Sequence, residues 1–503
     1  MKNSLTKRFG AFGAIALAIA CAAVAPLARA ADPPPPDVPD AVTHHTITLG
    51  GKPLAYTARA GTITLRGPDE APTAKIFYTA YTVDGAPNRP VTFLYNGGPG
   101  SSSLWLHMGS FAPVRVVTSN GTMTGPPPYQ VVPNDKTLLD KTDLVFIDMP
   151  NTGFGRILGN PKPFFGLDAD AAAFSQFIER YVTNFGRWNS PKFLYGESYG
   201  TTRSAALASL LEQNGIGING VVLQSVILNF GLDDLTTAGG GDWGFMLYLP
   251  TEAAVAWYHD AVPNKPSLAD WVAQAKAFAN GEYSDALSKG ANVPASEFKD
   301  VAAKVARFTG LPQDYVEKSN LRVPYYKFEG KLFQNRGEIV GRLDGRFKTG
   351  TLDRYSDFPY WDPTDAGIDS AFTSSINNYL RTDLAYQTPL LYKVGTYDVI
   401  GATGGWDFKH NGITQPDVSQ DLAGAMIYNP NLKVFVANGY YDFATPFYET
   451  VFTMDHLPIP QSLRSNISYG FYPSGHMIYI EPAAYAQLHD DLERWYDTAL
   501  GGR

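Results

Sequence analysis

One stretch constrains this chain more than any other: Phe193 to Leu211, FLYGESYGTTRSAALASLL. An apolar, strand-like run, Phe193-Leu194-Tyr195, meets Gly196-Glu197-Ser198-Tyr199-Gly200 and passes at once into an Ala- and Leu-rich helical pattern. A G-x-S-x-G sequence in that setting predicts a tight strand-to-helix turn, with glycines where side chains would collide with neighbouring backbone. The serine oxygen is then held above a sheet edge, at a helix N-terminus that favours developing negative charge. Ser198 is therefore the candidate nucleophile.

The surrounding pattern is of strands alternating with helices. Thr46 to Leu49, Lys75 to Val83 and Val91 to Tyr95 are β-rich runs separated by the turn formers Gly50-Gly51, Gly85 and Asn88 to Pro90. Asp143 to Asp148, with Leu144 to Ile147 apolar, has the short buried-strand pattern typical of a parallel sheet. Phe174, Phe177, Ile178, Tyr181, Val182 and Phe185 recur at helical spacing on a helix expected to start near Asp168. Another strand is expected at Val221 to Leu228, and the sheet pattern returns at Leu432 to Ala437 and Ser468 to Tyr472. Between lie helical patterns at Glu252 to His259, Leu268 to Asn280 and Ser296 to Phe308, followed by aromatic-rich irregular sequence. Helices inserted in a parallel α/β protein read as a cap over the C-terminal strand edges, where open sheets bind ligands. The expected organisation is a sheet core over 41–230 and 385–503, with a cap over 231–384.

The chain begins with Lys2, Lys7 and Arg8, an apolar stretch Phe12 to Ala25, and Ala28-Arg29-Ala30. That is the pattern of a cleavable export signal over residues 1–30, and Pro33 to Pro36 mark a proline-rich linker over 31–40. The one cysteine, Cys21, falls inside the signal, so a cleaved chain has no disulfide; a lipoprotein reading would make Cys21 the first residue, behind the poor lipobox Ala18-Ile19-Ala20. Export to a periplasm or the medium is expected, with no membrane span. Loss of Lys2, Lys7, Arg8 and Arg29 moves the formal charge from -8 to about -12, which argues against nucleic acid and anionic membranes as partners.

A serine hydroxyl needs a base to take its proton and an acid to orient that base. Among eight histidines, His476 lies just beyond a late strand, in Tyr472-Pro473-Ser474-Gly475-His476, where a loop would return to the sheet edge. Asp442 follows the strand Leu432 to Ala437 through Asn438-Gly439-Tyr440-Tyr441. The order Ser198, Asp442, His476 is that of an α/β-hydrolase fold, here with a mostly helical cap; Asp455 or His456 is the alternative. Asn96-Gly97-Gly98-Pro99-Gly100-Ser101-Ser102 ends a strand in a loop almost without side-chain bulk, whose amides are free to face an anion.

With these blocks in place the chain resembles the serine carboxypeptidases, the S10 peptidase family. Asn96 to Ser102 is similar to the family's N-G-G-P-G-x-S, and Gly196 to Gly200 to its G-E-S-Y-x-G. Asn438-Gly439 with Asp442 matches N-G-x-x-D, and Gly475-His476 its G-H. The resemblance implies Ser198 as nucleophile, His476 as base and Asp442 as its orienter. It further implies the N–H groups of Gly98 and Tyr199 as oxyanion hole. Asn96, Gly97 and a protonated Glu197 would hold the substrate's free carboxylate. Peptides with a free C-terminus are then the expected substrates, with no metal or cofactor. Three positions depart from the family: Ser110 stands where many members carry a second glutamate, Ser101 replaces the usual cysteine, and Asp148 to Phe154 is one residue shorter than D-x-P-x-G-x-G-F. The Ser110 departure gives an esterase or acyltransferase on the same triad as the alternative, and a non-catalytic binding protein on a hydrolase scaffold as a remote one.

Overall fold

The computed structural model describes residues 36–501, except Pro87 and residues 233–234 and 236–240. The expected signal at 1–30 and the first half of the linker lie outside the described residues. The chain's main sheet contains β1 (Ala41–Leu49), β2 (Lys52–Arg66), β3 (Pro72–Val83), β4 (Val91–Tyr95), β5 (Asp143–Ile147), β6 (Lys192–Glu197), β7 (Gly220–Gln224), β8 (Lys433–Gly439) and β9 (Ile467–Tyr472). Their spatial order is β1-β2-β3-β5-β4-β6-β7-β8-β9, with the short segment Arg156–Ile157 beside β3. Pairings from β1 through β5 along that order are antiparallel. From β5 onward, every pairing is parallel.

The alternation of residues along the parallel strands divides the core in two. Phe93, Tyr95, Leu194, Val221, Leu223, Val434 and Val436 face a cluster shared with α2 (Leu167–Asn184) and α3 (Tyr199–Gln213). The intervening Leu94, Phe193, Tyr195, Val222, Phe435 and Ala437 belong to the cluster on the other face. Period-2 side chains on strands buried on both faces require helices on both sides, and this is the three-layer architecture expected of an α/β-hydrolase. β2 was not among the expected strands, although its exposure alternates along fifteen residues. The Gly50-Gly51 turn, with φ of 53° and 78°, closes it on β1, the two positive dihedrals that a two-residue hairpin demands.

Between β7 and β8 the chain passes through α4 (Asp242–Tyr258), which begins well before the expected Glu252, and the helices Leu268–Phe278 and Ala295–Thr309, near the expected positions. These pack around Trp271, Phe308 and Val255 in a third cluster that also takes in Tyr441 and Phe443 from the loop after β8. The aromatic-rich stretch beyond is less irregular than expected: it holds the helix Tyr325–Lys331, a ladder of Glu338–Val340 on Lys348–Gly350, and α5 (Pro363–Thr382). Asp362 caps α5 by accepting from Thr364 N, with Pro363 at the first helical position. Ile368, Phe372, Ile376 and Leu380 place α5 against the sheet face that carries α1 (Leu104–Gly109) and α7 (Pro482–Ala499), while α6 (Ser419–Tyr428) lies on the opposite face. Among the described residues no helix is long and apolar enough to cross a membrane.

Candidate active site

β6 hands over to α3 at Ser198, which has φ 62° and ψ -133°. That left-handed backbone is costly for a serine and lifts its side chain out of both elements. Neighbouring packing enforces the turn: a Cβ on Gly196 would lie 2.1 Å from the Gly200 carbonyl oxygen and 2.5 Å from Ser204 Oγ. Ser198 N–H donates to the Gln224 carbonyl at 3.0 Å, so the turn remains tied to β7.

The glycine loop after β4 lies directly on this turn. A Cβ on Gly97 would come within 2.4 Å of Tyr199 N and 2.6 Å of Gly200 N. Only a residue without a side chain permits that approach. Arg203, fully buried on α3, ties the pieces together: Nη1 donates to the Asn96 carbonyl at 2.7 Å and Nε to Asp170 of α2 at 2.6 Å. Tyr199 opens α3, so its N–H has no partner inside the helix. Gly98 and Tyr199 both line one cavity of about 420 Å³ with Ser198, His476, Asn96 and Glu197.

His476 and Asp442 meet on the loops after β9 and β8. His476 Nδ1 donates to Asp442 Oδ2 at 2.7 Å, which leaves Nε2 as the nitrogen able to accept a proton. Asp442 is fully buried and its remaining acceptor capacity is filled by Ala444 N, Thr445 N and Thr445 Oγ1. Burial acts to lower the His476 pKa, but the Asp442 carboxylate more than offsets it and the net shift is upward. A segment between α4 and α5 fixes both loops: the Leu343 carbonyl accepts His476 N–H at 2.7 Å and the Arg342 carbonyl accepts Phe443 N–H at 2.9 Å. Asp362 in turn accepts from Arg342 N and Leu343 N. Among the described residues Ser198 Oγ makes no hydrogen bond; it shares the cavity wall with His476.

Glu197, next to Ser198, is 2% exposed. Its Oε1 accepts from Asn96 Nδ2 and its Oε2 from Gln224 Nε2, each at 2.7 Å, and the Tyr479 hydroxyl lies against it. Burial pushes its pKa up to about 7, against the opposing pull of nearby His476 and its hydrogen bonds. Protonated, it is a donor rather than a repelling charge. Ser110 does not join this group: buried at the end of α1, it bonds the Leu106 carbonyl at 2.5 Å. Tyr479 packs on neighbouring Gly109, where a Cβ would touch its ring at 2.5 Å, and carries a hydroxyl to Glu197 from there.

The eight expected residues thus gather around one cavity, with Asp442 behind His476. The alternatives do not: Asp455 and His456 are exposed, and His456 Nδ1 bonds the Phe452 carbonyl. Sequence reasoning missed Gln224, Tyr479, Arg342 and two acids of the cavity wall, Asp365 and Asp369. Gln224 ends a strand beside the elbow, a position that could have marked it; Tyr479 carries no local signal. Among the described residues the one cluster with metal-ligand spacing, His489, Asp490 and Glu493, lies on α7 away from the cavity wall.

Residues 52–236 match the family model described as serine carboxypeptidase. No curated protein matches the sequence. Among solved structures the chain is similar to Kex1(delta)p, a prohormone-processing carboxypeptidase from Saccharomyces cerevisiae, at 17% identity and a TM-score of 0.54 over 88% of this chain and 91% of that one. A proline iminopeptidase from Mycobacterium smegmatis is aligned at 13% identity and a TM-score of 0.37, over 88% and 99% of the two chains. The first likeness speaks for the fold; the matched segment 52–236 contains the glycine loop, the elbow and Ser198. That segment is similar to the serine carboxypeptidases, and the chain as a whole has the α/β-hydrolase fold.

Proposed function

We propose that the protein is an exported serine carboxypeptidase that removes C-terminal residues from peptides through an acyl-enzyme. One observation carries this reading: a buried carboxyl, Glu197, is held beside the nucleophile by Asn96 and Gln224 with its pKa raised to about 7. A neutral carboxyl of that kind, with Asn96 and the Gly97 N–H, suits a substrate's free carboxylate; an ionised one would repel it. The basic and apolar segment at residues 1–30 supports export.

In the reaction, Ser198 Oγ attacks the last peptide carbonyl while His476 Nε2 takes its proton. Asp442 holds the imidazole in the Nδ1–H tautomer and stabilises the imidazolium that forms. The developing oxyanion is met by the N–H groups of Gly98 and Tyr199, where loss of one such donor costs about 10²- to 10³-fold in rate. His476 then protonates the leaving amine, and water repeats the sequence to free the acyl group.

A second reading, an esterase or acyltransferase, is favoured by Ser110: bonded to Leu106, it brings no second carboxyl to Glu197. Mass spectrometry of one peptide, offered with free and with amidated C-terminus from about pH 4 to 8, separates the two. Stepwise trimming of the free acid alone, absent in Ser198→Ala, is the expected result. Ester cleavage through Ser198 with neither peptide trimmed would replace the peptidase by the acyl-transfer reading.

A further inference from the structure

The wall of the catalytic cavity is chemically uneven. One part is apolar, with Ile227, Phe230 and Phe408. Another presents Asp365 and Asp369 of α5, together with Trp105 and Tyr397. The two acids are four residues apart and so stand on one face of the helix. Both lie close enough to Tyr397 to act on its hydroxyl, and that hydroxyl sits 3.2 Å from where a Cβ of Gly98 would be. Asp365 also feels His476. The pair therefore adjoins the place where substrate must meet Ser198.

These carboxylates differ from others nearby in having nothing to do within the fold. Asp362, one turn earlier, accepts from Arg342 N, Leu343 N and Thr364 N. Asp365 and Asp369 have no hydrogen-bond or ion-pair partner among the described residues. Arg342 shares the cavity wall, but its guanidinium bonds the Tyr325 hydroxyl at 3.3 Å and forms no ion pair with either acid. Partial burial, and then the neighbouring acids, raise Asp365 to about 7 and Asp369 to about 6. Like charges one turn apart in a half-desolvated wall oppose each other until a cation arrives.

We propose that Asp365 and Asp369 form a subsite for a cationic side chain, so that preferred substrates carry Lys or Arg beside the bond that Ser198 attacks. The subsite rests on Ser198 acting as an acyl-transfer nucleophile, but not on the carboxypeptidase reading. The other charged groups of the cavity are Glu197, His476 and Arg342. Arg342 is the one fixed cation among them and limits the preference without cancelling two acids.

The test compares blocked dipeptides with Arg, Leu or Glu at the last or the penultimate position. Cleaved peptides are ranked by kcat/KM; if none is cleaved, the same peptides are ranked as competitive inhibitors of ester hydrolysis. Ratios between peptides do not depend on how much of a variant folds. Arg is expected to exceed Leu by about ten- to a hundredfold at pH 8 at one position, and the ratio is expected to shrink below about pH 6 as the acids take up protons. Asp365→Asn with Asp369→Asn should bring the ratio near one, and Asp365→Lys with Asp369→Lys should turn it toward Glu. A ratio near one in the unaltered protein at both positions, or one that survives the Asn variant, overturns the subsite. Trimming without an Arg preference overturns the subsite alone; an Arg preference among inhibitors without trimming overturns the carboxypeptidase reading alone.

Discussion

Replacing Glu197 with Gln tests the electrostatics of the site without any assumption about substrate. Burial raises this carboxyl from 4.5 to about 7. At about 1.4 kcal/mol per pH unit, that rise corresponds to about 3 kcal/mol between the two protonation states. The folded state binds the proton more tightly than the unfolded chain, so its contribution is fully present below about pH 4.5 and is lost as pH rises to about 7. A glutamine cannot ionise and suffers no such loss. It does place an amide toward Gln224 Nε2, but that offset is independent of pH. Urea denaturation of both proteins between about pH 4.5 and 8 is the assay. The stability of Glu197→Gln minus that of the unaltered protein should climb by about 3 kcal/mol up to about pH 7 and then level off. A difference that stays flat over that range refutes the argument, because it would mean that Glu197 titrates alike folded and unfolded.

Three further outcomes follow from the geometry. Gly97→Ala should lower kcat for a simple ester by about a hundredfold or more, since its Cβ would displace the loop from Tyr199 N, 2.4 Å away; unchanged kcat removes the loop from the reaction. Arg203→Met strands Asp170 in the core, and should cost about 3–5 kcal/mol in a urea titration; an unmoved midpoint counts against the pairing. Asp362→Ala frees Arg342 N and Leu343 N, whose carbonyls hold Phe443 and His476, so kcat should fall about tenfold or more with little change in KM. Asp362→Asn should recover part of it through its remaining acceptor, and a loss confined to KM would contradict a positioning role.

Local order was readable from the chain wherever one element carried its own signal. The elbow is the clearest case: Gly196 and Gly200 flank a serine whose positive φ no other local pattern explains. The apolar runs Leu144 to Ile147 of β5 and Val221 to Leu223 of β7 announce strands buried on both faces, and α2 shows its core stripe from Phe174 to Val182. The signal of α5 was present too, in Asp362-Pro363 followed by Ile368, Phe372, Ile376 and Leu380, but dense aromatic sequence before it masked the period.

The residues of the strand ends and their order along the chain were thus determined by sequence: a nucleophile on a strand-to-helix turn, a glycine loop, and an acid and a base on later loops. Only the tertiary structure decided their company. Gln224 and Tyr479 reach Glu197 from 27 and 282 positions away, and the backbone of Leu343 reaches His476 from 133, and no local period records such meetings. The same holds for Asp365 and Asp369, which in sequence are ordinary acids at the start of a helix. They become a charged wall because α5 packs its apolar stripe on the sheet beside α1, which leaves the half-buried Asp365 and the exposed Asp369 at the cavity wall without a partner.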